Sequence, residues 1–251
     1  MSVTTPPRNQ GDTIVALTRP RKLRSYSHAI PEVPGGAVVQ ESEFKIRLAN
    51  TEGRRSETSY LIRRRYAWRG YRVSPLGESP ANRITLAAFD GDASVATITV
   101  GIDSAAGLLV ENLYPGEVRA LRAEGRSLCE FTRLAVDNLV RSRVVLAAIF
   151  HIAYIYARRI RGSSDLLIEV NPRHVRFYEA MLGFEICGAE RIDPRVNAPA
   201  LLLRLALSHA EEQIAELGGN PKLAETLHSL YPLFFSAAEE RGIEGRLRRM
   251  G

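Results

Sequence analysis

Between residues 128 and 170 the chain lays out a strand, a long helix and a second strand, and no other stretch limits the possible folds so strongly. Residues 128–136, Leu-Cys-Glu-Phe-Thr-Arg-Leu-Ala-Val, and residues 165–170, Asp-Leu-Leu-Ile-Glu-Val, are the strands, and residues 142–160 are the helix between them. Two strands joined through a helix of this length must lie parallel, with a right-handed crossover. The apolar heart of the helix, residues 144–157, is interrupted by His151. It is too short to span a bilayer and suits a buried helix, with His151 a satisfied core residue.

The sequence on either side turns this parallel unit into part of a mixed sheet. Phe44, Ile46 and Leu48 alternate with polar residues, which predicts a half-buried strand over 43–48, and residues 57–68 follow as a basic helix. Residues 84–89 and 94–102 are β-rich and separated by Asp90-Gly91-Asp92, a turn suited to an antiparallel hairpin. A short helix over 117–124 ends near Gly125. After the second parallel strand, Asn171 can cap a helix, Pro172 suits its first turn and Gly183 its exit. Residues 184–187 and 200–207 then predict a final antiparallel pair joined by a Pro-containing loop. The expected fold class is therefore α/β (α+β): a mixed central sheet with antiparallel N-terminal strands, a central parallel pair and flanking helices. Residues 1–38 mix Pro, Gly, Ser and basic residues without periodicity and are expected to be a flexible basic arm. The main domain is expected over 39–207, with a helical extension and basic tail over 208–251.

With 45% hydrophobic and 25% charged residues in 251, the chain can bury one sizeable core. Cys129 and Cys187 lie in apolar strands without metal-ligand spacing, so neither disulfides nor a metal site is expected, and a cytoplasmic setting fits. The net charge of +6 comes from clusters at 19–24, 54–55, 63–65, 158–161 and 246–249. Such a surface suits an acidic partner: nucleic acid, an anionic membrane surface touched peripherally, or an acidic carrier protein. The clusters are scattered and lack interleaved aromatics for base stacking, which places nucleic acid last.

An open sheet binds ligands at the carboxyl ends of its parallel strands, here near Leu134, Ala135, Val136, Asn171 and His174. Glu130 and Arg133 are three apart and would face opposite sides of a regular strand, so only a bulge would bring them together. A bulge would also free backbone groups for an amide-bearing pantetheine arm. Amide formation from a thioester needs an unprotonated amine, donors for the oxyanion and an acid for the leaving thiolate. Glu130 could take the ammonium proton, Tyr178 could protonate the thiolate, and Arg133 could orient an anionic acceptor or hold Glu130. The structural alternatives are a Glu130–Arg133 ion pair and Tyr178 as core packing. Cys129 is expected to be a buried, inert thiol.

The segment Asn171-Pro-Arg-His-Val-Arg-Phe-Tyr178-Glu-Ala-Met-Leu-Gly183-Phe184 resembles the one from which the GNAT superfamily takes its thiolate-protonating tyrosine. Glu130-Phe-Thr-Arg133-Leu-Ala-Val-Asp137, with Gly101-Ile-Asp-Ser-Ala-Ala-Gly107-Leu-Leu upstream and Leu230-Tyr-Pro-Leu-Phe-Phe-Ser236 downstream, is similar to the long-chain N-acyl amino acid synthases. The likeness runs from about residue 43 to 247. It implies a GNAT-like fold that moves a fatty acyl chain from acyl carrier protein to the amine of an amino acid, with Glu130, Arg133 and Tyr178 catalytic. The acyl-phosphopantetheine thioester is then a co-substrate, and no cofactor is bound. Ordinary acetyltransferases carry a glycine-containing loop after the central strand that cradles the coenzyme A pyrophosphate. Residues 137–143, Asp-Asn-Leu-Val-Arg-Ser-Arg, contain no glycine, as suits a donor without a pyrophosphate. The acyl chain needs an apolar tunnel, for which the helix carrying Phe150 is a candidate, and Trp68 and Tyr71 are candidates to close the acceptor pocket.

The same strand motif also resembles the acyl-homoserine-lactone synthases. Those usually carry paired aspartates before the second hairpin strand and an arginine within it, whereas residues 82–85 have no such pair and Thr97-Ile98-Thr99 has no arginine. The third possibility is a non-catalytic module that holds an acylated carrier or a lipid in the same cleft. Turnover separates it from an enzyme.

Overall fold

A computed structural model describes residues 3–4, 12–20, 41–67, 70, 74–78, 80–137 and 142–250. Trp68 and Tyr71 lie outside the described residues. Among the described residues nine strands form one sheet: β1 Val3–Thr4, β2 Thr13–Pro20, β3 Glu41–Leu48, β4 Arg83–Asp90, β5 Ala93–Ile102, β6 Leu128–Val136, β7 Asp165–Val170, β8 Glu185–Asp193 and β9 Ala198–Ala206. The order across the sheet is β1-β2-β3-β4-β5-β6-β7-β9-β8, antiparallel throughout except for the parallel pair β6–β7. This is the mixed sheet expected from the sequence.

The helices are α1 Glu52–Ala67, α2 Pro115–Ala123, α3 Arg143–Tyr154, α4 Val175–Leu182, α5 Leu207–Leu217 and α6 Ala237–Met250. On one face of the sheet, α3 to α6 close the main core over Ile98, Val100, Cys129, Leu166 and Ile168. On the other face, Val118 and Leu121 of α2 cover Leu128, Leu167 and Leu202, while Leu61 and Ile62 of α1 cover Ala135. The crossover helix is capped by Ser142, whose hydroxyl accepts from the Val145 amide, and its continuation over Ile155–Ile160 widens into a π-helix rather than staying α-helical.

Three further expectations need correction. The stretch 13–20, expected within a flexible arm, is strand β2: it pairs with β3, and Ile14, Val15, Ala16 and Leu17 are buried. Its partners are remote in sequence. Arg246 of α6 donates to the Ile14 carbonyl across 2.6 Å, and no local pattern could announce a contact between residues 232 apart. The extension after 207 is helical as expected, but Ile214, Phe234, Phe235, Ile243 and Leu247 enter the main core. Finally, Asn171 caps a 3₁₀ turn at Pro172–His174, accepting from the Arg173 amide, and α4 starts only at Val175. Gly183 ends α4 in the left-handed region at φ 77°, the conformation that favours glycine.

The closing strands are longer than expected, and β9 inserts between β7 and β8. Among the described residues no helix is long and apolar enough to cross a membrane, and no cluster of His, Cys, Asp and Glu could hold a metal ion.

Candidate active site

The parallel pair is short. Only Leu128, Cys129 and Glu130 of β6 pair with β7, opposite Asp165, Leu166 and Leu167. Beyond Glu130 and Leu167 each strand continues, β6 to Val136 and β7 to Val170, without its neighbour. The strands splay and leave the inner edge of each without a strand partner. Such a gap accepts an extended ligand with amides of its own, which adds to the sheet as a strand would.

On its other side β6 stays paired to β5, but the register slips. Thr99 faces Thr132 and Thr97 faces Ala135, so three steps on β6 match two on β5. The extra residue lies at Arg133 and Leu134, and Arg133 adopts φ 53°, a rarely occupied region for a residue with a side chain. The bulge that the spacing of Glu130 and Arg133 required is therefore present. It does not join them.

Glu130 pairs instead with Arg83. In the cross-strand row Arg83, Gly101 and Glu130 are successive neighbours on β4, β5 and β6. The Arg83 guanidinium reaches over Gly101 to Glu130 Oε1 at 3.0 Å, and the Val110 amide donates to Oε2 at 3.0 Å. Glycine is needed at 101 because a Cβ there would lie 2.9 Å from both Cγ and Oε1 of Glu130. The Glu130 side chain is fully buried. Burial pushes its carboxyl above the usual range, opposed by the Leu109 and Val110 amides and by Arg83. The 3₁₀ turn Leu109–Asn112 that presents the Val110 amide is itself fixed: Glu111 accepts from the Leu108 amide at 2.7 Å, and Arg122 binds both Glu111 and Asp103. Both Glu130 oxygens are thus engaged, one by a cation and the other by backbone.

Arg133 is half-buried and makes no hydrogen bond or ion pair among the described residues. Desolvation holds its guanidinium below its ordinary value, and the nearby positive charge of Arg83 adds to that. An unpaired cation in this setting has unmet demand for an anion. Tyr66, in the last turn of α1, donates its hydroxyl to the Leu134 carbonyl at the bulge across 3.1 Å. Its phenol is also felt electrostatically by both Arg133 and Tyr178.

Tyr178, on α4 beyond the open end of β7, packs edge-on against Phe177 and Phe184 with ring centroids 5.3 and 5.6 Å away. Its hydroxyl has no hydrogen-bond partner among the described residues. Burial raises its pKa, so it stays a proton donor at neutral pH.

A second carboxylate was not singled out from the sequence. Glu169 is on β7, two residues past the last pairing with β6, and is close enough to Glu130 for the two charges to oppose each other. One oxygen forms an ion pair with Arg195, which also grips Asp193. Its Oε1 is buried without a hydrogen-bond partner among the described residues. Burial is the main cause that raises its pKa.

The side chains of the other expected site residues are placed as follows. The Asn171 side chain is used on both sides, accepting from the Arg173 amide and donating to the Pro199 carbonyl at 3.2 Å. His174 lies beside Arg173 in the same 3₁₀ turn, 3.3 Å from its Nε. Ala135 is buried under α1, and Leu134 and Val136 pack against the main core. Phe150 is 4% exposed and tilts against Phe131 at 6.3 Å, within the core. Cys129 is buried, and its thiol is pushed up by desolvation, as expected of an inert residue. Arg83, Tyr66 and Arg195 went unnoticed because their partners lie 26 to 68 residues away. For Glu169, its place just before the Asn-Pro turn was the available signal.

The family model described as N-acyl amino acid synthase FeeM matches residues 57–206. The solved structure of FeeM, an N-acyl amino acid synthase from uncultured soil microbes, is similar with a TM-score of 0.61 and 28% identity, over 66% of this chain and 93% of that one. The AHL synthase LasI is similar with a TM-score of 0.50 and 13% identity, over 66% of this chain and 91% of that one, a likeness of fold alone. No curated protein matches the chain.

Proposed function

The chain belongs to the FeeM family of N-acyl amino acid synthases, an acyltransferase of GNAT-like fold, and on that premise we propose that it transfers a long-chain fatty acyl group from acyl carrier protein to the amino group of an amino acid. The observation that carries this reading is the splayed pair β6–β7 with a cation, Arg133, at its bulge and a phenol, Tyr178, beyond its open end, neither with a hydrogen-bond partner among the described residues.

In this reading the pantetheine arm lies in the splay and pairs with the free backbone edges of β6 and β7. Arg133 binds the carboxylate of the acceptor, which fixes the amine relative to the thioester carbonyl. Tyr178 gives its proton to the departing thiolate. Glu130 holds Arg83 and the Val110 turn, and with them the wall of the acceptor side. Two features support a carrier-protein donor: the sequence 137–143 contains none of the glycines of the loop that cradles a pyrophosphate in ordinary acetyltransferases, and the net charge of +6 suits an acidic protein surface.

The test is turnover with palmitoyl-loaded acyl carrier protein and all twenty amino acids, beside palmitoyl-coenzyme A, with products identified by mass spectrometry. An N-acyl amino acid formed with the carrier protein alone supports the reading. Product from coenzyme A alone overturns the donor, and no product from either overturns acyl transfer to amino acids.

A further inference from the structure

A buried carboxylate, Glu130, and a half-buried one, Glu169, stand at the open end of the parallel pair, and they are not equivalent. Glu130 has both oxygens taken, by Arg83 and by the Val110 amide, with no exposure to a substrate. Glu169 has one oxygen held by Arg195 and one, Oε1, enclosed without a donor among the described residues. A buried acceptor left without a donor costs about 1–3 kcal/mol, more when charged, and a hydrogen bond supplied by a ligand is one way in which that cost is met. The alternation of β7 puts Glu169 on the same face as Leu167 and Glu130, the face covered by α1 and α2, past the point where β6 leaves. Arg83 and Tyr66 belong to this face as well, and the charge of Arg83 is felt by Arg133.

We propose that Glu169, rather than Glu130, is the catalytic carboxylate that accepts the proton of the acceptor ammonium. The proposal rests on the acyl-transfer reading above. An ammonium group placed between the splay and β7 would donate to Oε1, satisfying the orphan oxygen and passing it a proton. The freed nitrogen lone pair attacks the thioester carbonyl, the C–N bond forms, and the C–S bond breaks as the tetrahedral intermediate collapses. Two protons leave the nitrogen in all. The first goes to Glu169 and on to solvent, and the second, shed on collapse, replaces the proton that Tyr178 gives to the thiolate. Arg195 is then a positioning residue: it grips the other Glu169 oxygen and is held in turn by Asp193, so that Oε1 alone is left to face the amine.

The experiment compares wild type, Glu169→Gln and Glu130→Gln, following thiol release from palmitoyl-loaded acyl carrier protein with saturating amino acid mixture between pH 5.5 and 9.5. The expected result is a loss of about 10²- to 10⁴-fold in kcat for Glu169→Gln at pH 7, the size of a general base contribution. Its acid limb should disappear and be replaced by a rate that climbs about tenfold per pH unit, as an amine losing its proton to solvent requires. Glu130→Gln should keep the wild-type acid limb. Glu169→Asp, which retains the carboxylate at a shorter reach, should recover part of the rate and the acid limb, and it serves as the readout should the glutamine variant fail to fold. An unchanged profile for Glu169→Gln, or an acid limb lost in Glu130→Gln alone, overturns this assignment. Absence of wild-type turnover overturns the proposed function itself, so the two failures are distinct.

Discussion

Replacing Arg83 by methionine should destabilise the protein in a way that grows with pH. Arg83 is the cation facing Glu130, whose side chain is only 1% exposed, while Arg83 itself is 20% exposed. Methionine keeps much of the stem volume and removes the charge, so the carboxylate is left with the Val110 and Leu109 amides. Breaking a buried pair from one side costs about 3–5 kcal/mol at a pH where the remaining group stays charged. For a chain of this size that corresponds to a fall of about 6–20 °C in Tm. Glu130 can reduce the penalty by taking a proton, and the sign follows from its direction of shift. Its folded pKa already lies above the ordinary carboxylate value because of burial. Losing Arg83 raises it further, so between the unfolded and folded values the native state binds the extra proton. Stability is then highest below the unfolded pKa and falls as pH rises through the folded one, by at most about 1.4 kcal/mol per pH unit. Urea unfolding of wild type and R83M at pH 5.5, 6.5 and 7.5 measures both terms. The double variant R83M/E130Q, which removes the stranded charge, should recover stability at pH 7.5 relative to R83M. A pH-independent loss below about 1 kcal/mol, or no recovery in the double variant, would refute the view that Arg83 is what makes a buried Glu130 tolerable.

Gly101→Ala places a Cβ 2.9 Å from Glu130 Cγ and Oε1, and the expected cost of such overpacking is about 1–3 kcal/mol in thermal or urea unfolding. Tyr178→Phe keeps the aromatic packing and removes the thiolate's acid, and should lower kcat by about 10²- to 10⁴-fold with acceptor KM little changed. Arg133→Met should act mainly on acceptor KM, raising it by about tenfold or more, because a charge-assisted hydrogen bond to a carboxylate is worth about 1.5–3 kcal/mol. His151→Phe removes the Nδ1 that accepts from the Phe235 amide at 2.9 Å, and should cost about 1–3 kcal/mol of stability without changing turnover per folded molecule.

The helix–strand order, the parallel pair and the elements of the mixed sheet were legible from local pattern because each depends on periodicity and turn chemistry within a few residues. The hairpin at Gly91 and the helix exit at Gly183 are local events, and β6 and β7 span the same residues in the structure as in the sequence reading. The family likeness was legible for the same reason, since its motifs lie on contiguous stretches.

What tertiary structure alone decided is the pairing of charges. Spacing suggested Glu130 with Arg133, but a bulge at Arg133 and the missing side chain of Gly101 send Glu130 to Arg83, two strands across the sheet. The order β7-β9-β8 brings Arg195, from the loop that joins the last two strands, to Glu169. Strand β2 finds α6 at the far end of the chain. Short-range steric and hydrophobic preferences fix where elements begin and end. Which carboxylate is neutralised, and which keeps an open oxygen, depends on cross-strand register and burial, and these arise only when segments distant in sequence share a core.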